Sequence, residues 1–176
     1  MVMTTQIDGI EDLKSRIGKQ LGFSEWHTIT PAQVQLFADA TGDHQWIHLD
    51  EERAKAGPFG MTIAHGYLTL SLAPMLMSEA FLIGGDVKMG VNYGANKLRF
   101  TAPVPVGSRV RMGATLQAVE EFTGGAQYIV ELIFEIEGGS AVNSTNPFKK
   151  ETLSIISSSI PIIFPTELLT LEVKSK

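Results

Sequence analysis

The chain has no cysteine, which excludes a disulfide framework and thiolate chemistry and fits a reducing, cytoplasmic setting. It lacks an excess of positive charge. Fourteen Lys and Arg against nineteen Asp and Glu leave a formal net charge of −5, which argues against general nucleic-acid binding. It also lacks an unbroken apolar run of membrane-spanning length. The longest, after His65, is interrupted by Thr69, Ser71, Pro74 and Ser78, so it reads as a buried helix and no membrane partner is expected. Met1 leads into polar sequence with Asp8, Glu11 and Asp12, so no secretory signal is expected. What remains is ordinary globular composition, 44% apolar and 19% charged over 176 residues, enough for one domain with a real core.

The positive charge present is gathered in one place. Between Val87 and Val119 stand Lys88, Lys97, Arg99, Arg109 and Arg111 with no acidic residue. Such a stretch could draw a small anionic ligand such as a nucleotide-bearing cofactor. A solvated sheet face is the plainer alternative.

Periodicity organises the chain as helices followed by strands. Ile10, Leu13, Ile17 and Leu21 at helical spacing predict an amphipathic helix over residues 7–21, stopped by Gly22. A short strand is expected from Phe23 to Thr30. Thr30-Pro31-Ala32-Gln33 is a helix start, Val34, Phe37, Ala38 and Thr41 share a face, and Gly42 is the stop. Asp43 therefore emerges just past a helix end, on a polar loop that also carries His44 and His48. Asp50 caps a second short helix, Glu51 to Ala56, and Gly57-Pro58-Phe59-Gly60 is a turn-rich connector suited to a flap. From Gly66 to Leu82 apolar residues cover nearly the whole helix circumference, so that helix must be wrapped by other elements. Pro74 inside it predicts a kink.

After Gly84-Gly85 the period becomes two. Met89, Val91 and Tyr93 lie on one phase and Leu98 and Phe100 on the other, with a β-bulge expected at Gly94. Val110, Met112, Ala114, Leu116 and Ala118 form the inner face of a long strand. Gly124-Gly125 turns into its partner, Val130, Leu132, Phe134 and Ile136. The class is α+β, with the helix against an antiparallel sheet.

Asp43 and His48, five residues apart, offer an acid/base pair, and His65-Gly66 opens a helix whose N-terminus can meet developing negative charge. That combination suits water addition to, or removal from, an activated carbonyl compound. Asp43, His44 and His48 also suggest a metal site, but no further ligand spacing supports one. For His65, a hydrogen-bonded core residue is the alternative to a role in the site.

Asp43-His-Gln-Trp-Ile-His48-Leu-Asp50, Ile63-Ala-His65-Gly66 and Asn92-Tyr-Gly-Ala-Asn-Lys-Leu-Arg-Phe100 together resemble the MaoC-like dehydratases, or (R)-specific enoyl-CoA hydratases, from about Phe23 to Gly138. The resemblance implies the hot-dog fold, a long central helix wrapped by a curved antiparallel sheet. It also implies a homodimer with acyl-CoA near the interface. The implied reaction is syn hydration of a trans-2-enoyl-CoA to the (3R)-hydroxyacyl-CoA in fatty acid metabolism. Asp43 and His48 match the catalytic pair, and Gly66 matches the donor to the thioester oxygen. His65, Trp46, Asn96, Lys97 and Arg99 are expected toward the substrate, the last three at its phosphates or at the dimer edge. No metal or redox cofactor is implied, because coenzyme A is part of the substrate and the thioester already acidifies the α-carbon.

Gln45 and Trp46 replace the Asn-Pro of many members, as in a bacterial branch, and Trp46 stands where it would shape the acyl pocket. Pro74 aligns with a serine of some members, so no serine role is assigned. Residues 1–139 are expected to form a single hot-dog domain. Residues 140–176 form an atypical C-terminal segment, within which Ser154–Ile160 could supply a last strand. The rivals are a hot-dog thioesterase, against which the Asp-to-His spacing and the His-Gly helix start count, and a non-catalytic acyl-CoA-binding module.

Overall fold

The structure is a computed structural model that describes residues 3–85 and 87–138, together with the backbone strand 152–163. Helix α1 spans Gly9–Ser15 and follows strand β1, Thr5–Ile7. It is shorter than the spacing predicts. Gly18 takes φ +77°, which closes the turn after the helix, and its N–H reaches Leu116 O at 2.8 Å. Leu21 then enters the core from strand β2, Gln20–Phe23, and Ile17 stays 46% exposed. Of the single strand expected over residues 23–30, only Phe23 at the end of β2 and the two residues of β3 (His27–Thr28) are in strands.

Helix α2, Pro31–Thr41, starts as its sequence dictates. The Thr30 hydroxyl accepts from Gln33 N, the Gln33 side chain accepts from Thr30 N, and Gly42 closes the helix at φ 79°. Two short helices follow, α3 (Trp46–Leu49) and α4 (Glu51–Lys55), the second capped by the Asp50 carboxylate on Arg53 N at 3.0 Å. His48 therefore sits on a helical turn and not on the open loop expected.

The central helix is two pieces, α5 (Gly66–Ser71) and α6 (Ala73–Ala80), parted at Leu72 just before Pro74. Proline has no N–H for the intrahelical ladder, and its ring crowds the preceding turn. Phe81 and Leu82, expected on this helix, belong instead to strand β4, Phe81–Ile83, which pairs in parallel with β1. Among the described residues the helix is covered on one side only. Leu68, Ala73, Leu76 and Ala80 are buried, whereas Tyr67 is 63% exposed and Met75 42%.

The sheet is built on β7 (Arg109–Phe122) and β8 (Gly125–Ile136), joined by a tight turn. Its order is β2-β7-β8-β9-β5, with β3 also on β7 and β6 also on β9; β5 is Met89–Gly90, β6 Gly94–Arg99 and β9 Thr152–Ile163. All its pairings are antiparallel. The Ser154–Ile160 stretch thus lies inside β9, while residues 140–151 and 164–176 fall outside the described residues. Between β5 and β6 the pairing on β9 slips. Met89 faces Ile163 and Gly94 faces Ser159, one residue more on this side than on β9.

A second slip corrects the β7 pattern. Leu116 faces Val130 but Ala118 faces Ile129, so Gln117 is an extra residue. One inserted residue inverts the faces of a strand, and Val119, not Ala118, packs against the core. On that inner face Met112, Ala114 and Leu116 meet Tyr128, Val130, Leu132 and Phe134 beneath Leu76 and Ala80. A smaller cluster of Ile29, Val34, Ala64, Leu68, Val104 and Val110 lies at the α2–α5 end. The site is built at that end.

Candidate active site

The segment 62–65 is a short extended link with both sides clamped. Ala64 N reaches Val104 O at 2.8 Å, Val106 N reaches Thr62 O at 3.0 Å, and Ile63 N reaches Ile47 O at 3.0 Å. His48 is drawn into the same clamp, its Nδ1 lying 2.7 Å from Ile63 O. A carbonyl only accepts, so Nδ1 carries the proton and the neutral ring keeps its lone pair on Nε2. Burial pushes the His48 pKa down, because imidazolium loses its water there, and nearby His65 acts the same way. The bond to Ile63 O and the Asp43 carboxylate oppose the shift without cancelling it. His48 is thus favoured as a neutral base.

Asp43 follows the left-handed Gly42 and is exposed. Its backbone carbonyl accepts from His65 Nε2 at 2.9 Å. The His65 ring, 2% exposed, stacks on His48 with centroids 3.8 Å apart and planes at 30°. Phe37 from α2 packs against the same ring at 5.1 Å. One potential ligand atom from each of Asp43, His48 and His65 lies within 4.8 Å of the others. A carboxylate and an imidazole that close together can exchange protons with one small molecule between them.

Gly66 is the first residue of α5, and its N–H belongs to the unpaired first turn of a helix. A Cβ there would lie 2.8 Å from the Phe100 ring, so only glycine lets the chain pass beneath Phe100 without displacing it. Thr69 and Thr101 hydroxyls and His65 Nδ1 are buried without a hydrogen-bond partner among the described residues. Ile63 and Phe100 stand within the segments that carry the resemblance, but nothing there marks the Ile63 carbonyl or the Phe100 ring for these contacts, and Thr69 and Thr101 look like any core position.

The other residues expected toward the substrate make contacts of their own or lie exposed. Trp46 lies under Arg53, whose guanidinium is 4.5 Å from the ring centroid, and its indole edge would be 2.9 Å from a Cβ on Gly57. Asn96, Lys97 and Arg99 are exposed on β6. His44 turns outward to Asp39 at 3.0 Å, and that hydrogen bond raises its pKa. Of the basic stretch, Arg109 pairs with Glu137 at 2.7 Å, and Arg111 pairs with Glu135 at 2.6 Å while stacking on Phe23 and Trp26. These two are sheet-surface residues.

Residues 12–134 match the MaoC like domain family. The chain is 53% identical over 134 residues to 3-hydroxyacyl-thioester dehydratase Z of Mycobacterium tuberculosis, covering 76% of this chain and 88% of that protein. It is 45% identical over 131 residues to nodulation protein N of Rhizobium leguminosarum bv. viciae, covering 73% of this chain and 81% of the relative. Among solved structures, the (R)-hydratase of A. caviae superposes with TM-score 0.58 at 22% identity, over 85% of this chain and 96% of that one. That likeness is one of fold, the hot-dog arrangement of helix and antiparallel sheet.

Proposed function

The chain belongs to the MaoC-like dehydratase family, and from that premise we propose a hydro-lyase that adds water to trans-2-enoyl-CoA and removes it in reverse. The observation that carries the reading is the meeting of Asp43 with a neutral, buried His48 beside the first turn of α5. The name of the M. tuberculosis relative, a 3-hydroxyacyl-thioester dehydratase, supports a thioester substrate.

In the hydration direction one water is held between the Asp43 carboxylate and His48 Nε2. The pair removes a proton as the water oxygen bonds to C3, and the C2–C3 π electrons move toward the thioester oxygen. The Gly66 N–H meets the charge on that oxygen, an arrangement worth about 100- to 1000-fold in turnover. The proton then returns to C2. Because water and proton come from one place, addition is syn; attack on the face of C3 that gives the (3R)-hydroxyacyl thioester belongs to the same proposal.

Incubation with crotonyl-CoA is expected to remove the enoyl absorbance and give (3R)-hydroxybutyryl-CoA without free thiol. Release of thiol with the enoyl group intact would identify a thioesterase, and binding without either change would identify a non-catalytic module. The pH profile carries a sign. The base must be neutral and its pKa is lowered, so kcat/KM should fall on the acid side with a midpoint below about 6.5, the ordinary imidazole value. A midpoint above that value would assign the limb to another group.

A homodimer and a cytoplasmic setting belong to the same proposal. Exposed Tyr67, Met75, Met89, Tyr93 and Phe100 form an apolar supply that a second copy could cover. Among the described residues no helix is long and apolar enough to cross a membrane.

A further inference from the structure

We infer that His65 is the positioning residue of the site, tying Asp43 to the start of α5 through Nε2–H while its ring face orients His48. The inference rests on the proposed roles of Asp43 and His48. Local helix preference does not explain a histidine here. His65 occupies the N-cap of α5, yet its side chain makes no capping hydrogen bond, and residues that do cap, such as Ser or Asp, would serve the helix better. The ring turns the other way. Its Nε2–H is donated to the Asp43 carbonyl at 2.9 Å, and its face lies on His48 at 3.8 Å. Among the described residues Asp43 has little else to fix it: Asp43 N to Thr41 Oγ1 and Gln45 N to Asp43 Oδ1 are both 3.4 Å. Those bonds are long and weak.

With Nε2 carrying the proton, His65 Nδ1 is buried without a hydrogen-bond partner among the described residues. The titratable groups acting on His48 are His65 and Asp43. The imidazolium that forms on His48 in turnover then lies against the face of the His65 ring.

Two variants separate the two contacts. His65→Gln keeps an amide donor near Asp43 O and loses the ring. His65→Phe keeps the ring and loses the donor. Each should lower kcat for crotonyl-CoA hydration by about 10- to 100-fold, the scale for misplacing a reacting group by about 1 Å, with KM little changed. In His65→Gln the acid limb of kcat/KM should also rise toward the ordinary imidazole range, whereas in His65→Phe it should not. Unchanged kcat and acid limb in both variants, whatever their Tm, would make His65 a plain core residue. Nitrogen NMR of the wild-type protein gives a readout that needs neither turnover nor a variant. His65 should show a hydrogen-bonded Nε2–H, and a proton on Nδ1 with Nε2 bare would overturn the inference. Failure of the wild-type protein to hydrate any enoyl-CoA would instead overturn the underlying reading.

Discussion

Asp43→Asn should lower kcat for crotonyl-CoA hydration by about 100- to 10,000-fold, the usual contribution of a positioned acid or base, while leaving Tm unchanged. The reason lies in which atoms of Asp43 hold it. His65 grips the backbone carbonyl, which asparagine retains, and the side chain is exposed, so the exchange removes basicity and little else. His48→Ala should match it in kcat but not in stability. It deletes a buried ring and leaves Ile63 O without its 2.7 Å partner, a loss of about 1–3 kcal/mol. Steady-state kinetics beside thermal melts checks both. Turnover within tenfold of wild type in Asp43→Asn would remove Asp43 from the chemistry.

Phe134→Ala should be the most damaging change away from the site. Phe134 is 1% exposed, pairs across the sheet with Met112, and lies in the core cluster with Leu76. Truncating such a ring costs about 3–5 kcal/mol, because the cavity left behind closes only in part. For a domain of this size that corresponds to a fall in Tm on the order of 10 °C. The active site is built on the other cluster, around Val34, Ala64 and Val110, so turnover per folded molecule at low temperature should survive. Melting curves together with kcat at low temperature test both halves. A small shift in Tm would mean that the neighbouring side chains close the gap.

Much of this arrangement was legible where a rule acts over a few residues. The Thr30-Pro31-Gln33 start, the Gly42 stop, the Asp50 cap and the alternation from Val110 to Leu116 depend on neighbours in sequence, and each stands in the structure. Long-range competition decided the rest. Leu21 stands eight positions from Leu13, a spacing that suits a helix face and a strand face alike, and pairing with β7 settles it as strand. Val119 replaces Ala118 because a bulge carries no mark in side-chain chemistry. Phe81 and Leu82 leave the helix for a partner, β1, near the far end of the chain. At the site, the residue types were readable and their anchoring was not. The Ile63 carbonyl that fixes the His48 tautomer is a main-chain atom, alike at every position, and the Phe100 ring over Gly66 comes from another strand.

That ring gives the tail of the molecule a lever on its reactive end. Phe100 directly follows Arg99, which is paired with Ser154 of β9, so a residue change that displaces the last strand travels through one aromatic side chain to the amide at Gly66. A substitution in β9 that shifts Arg99 should therefore be felt at the Gly66 amide with Asp43 and His48 unchanged.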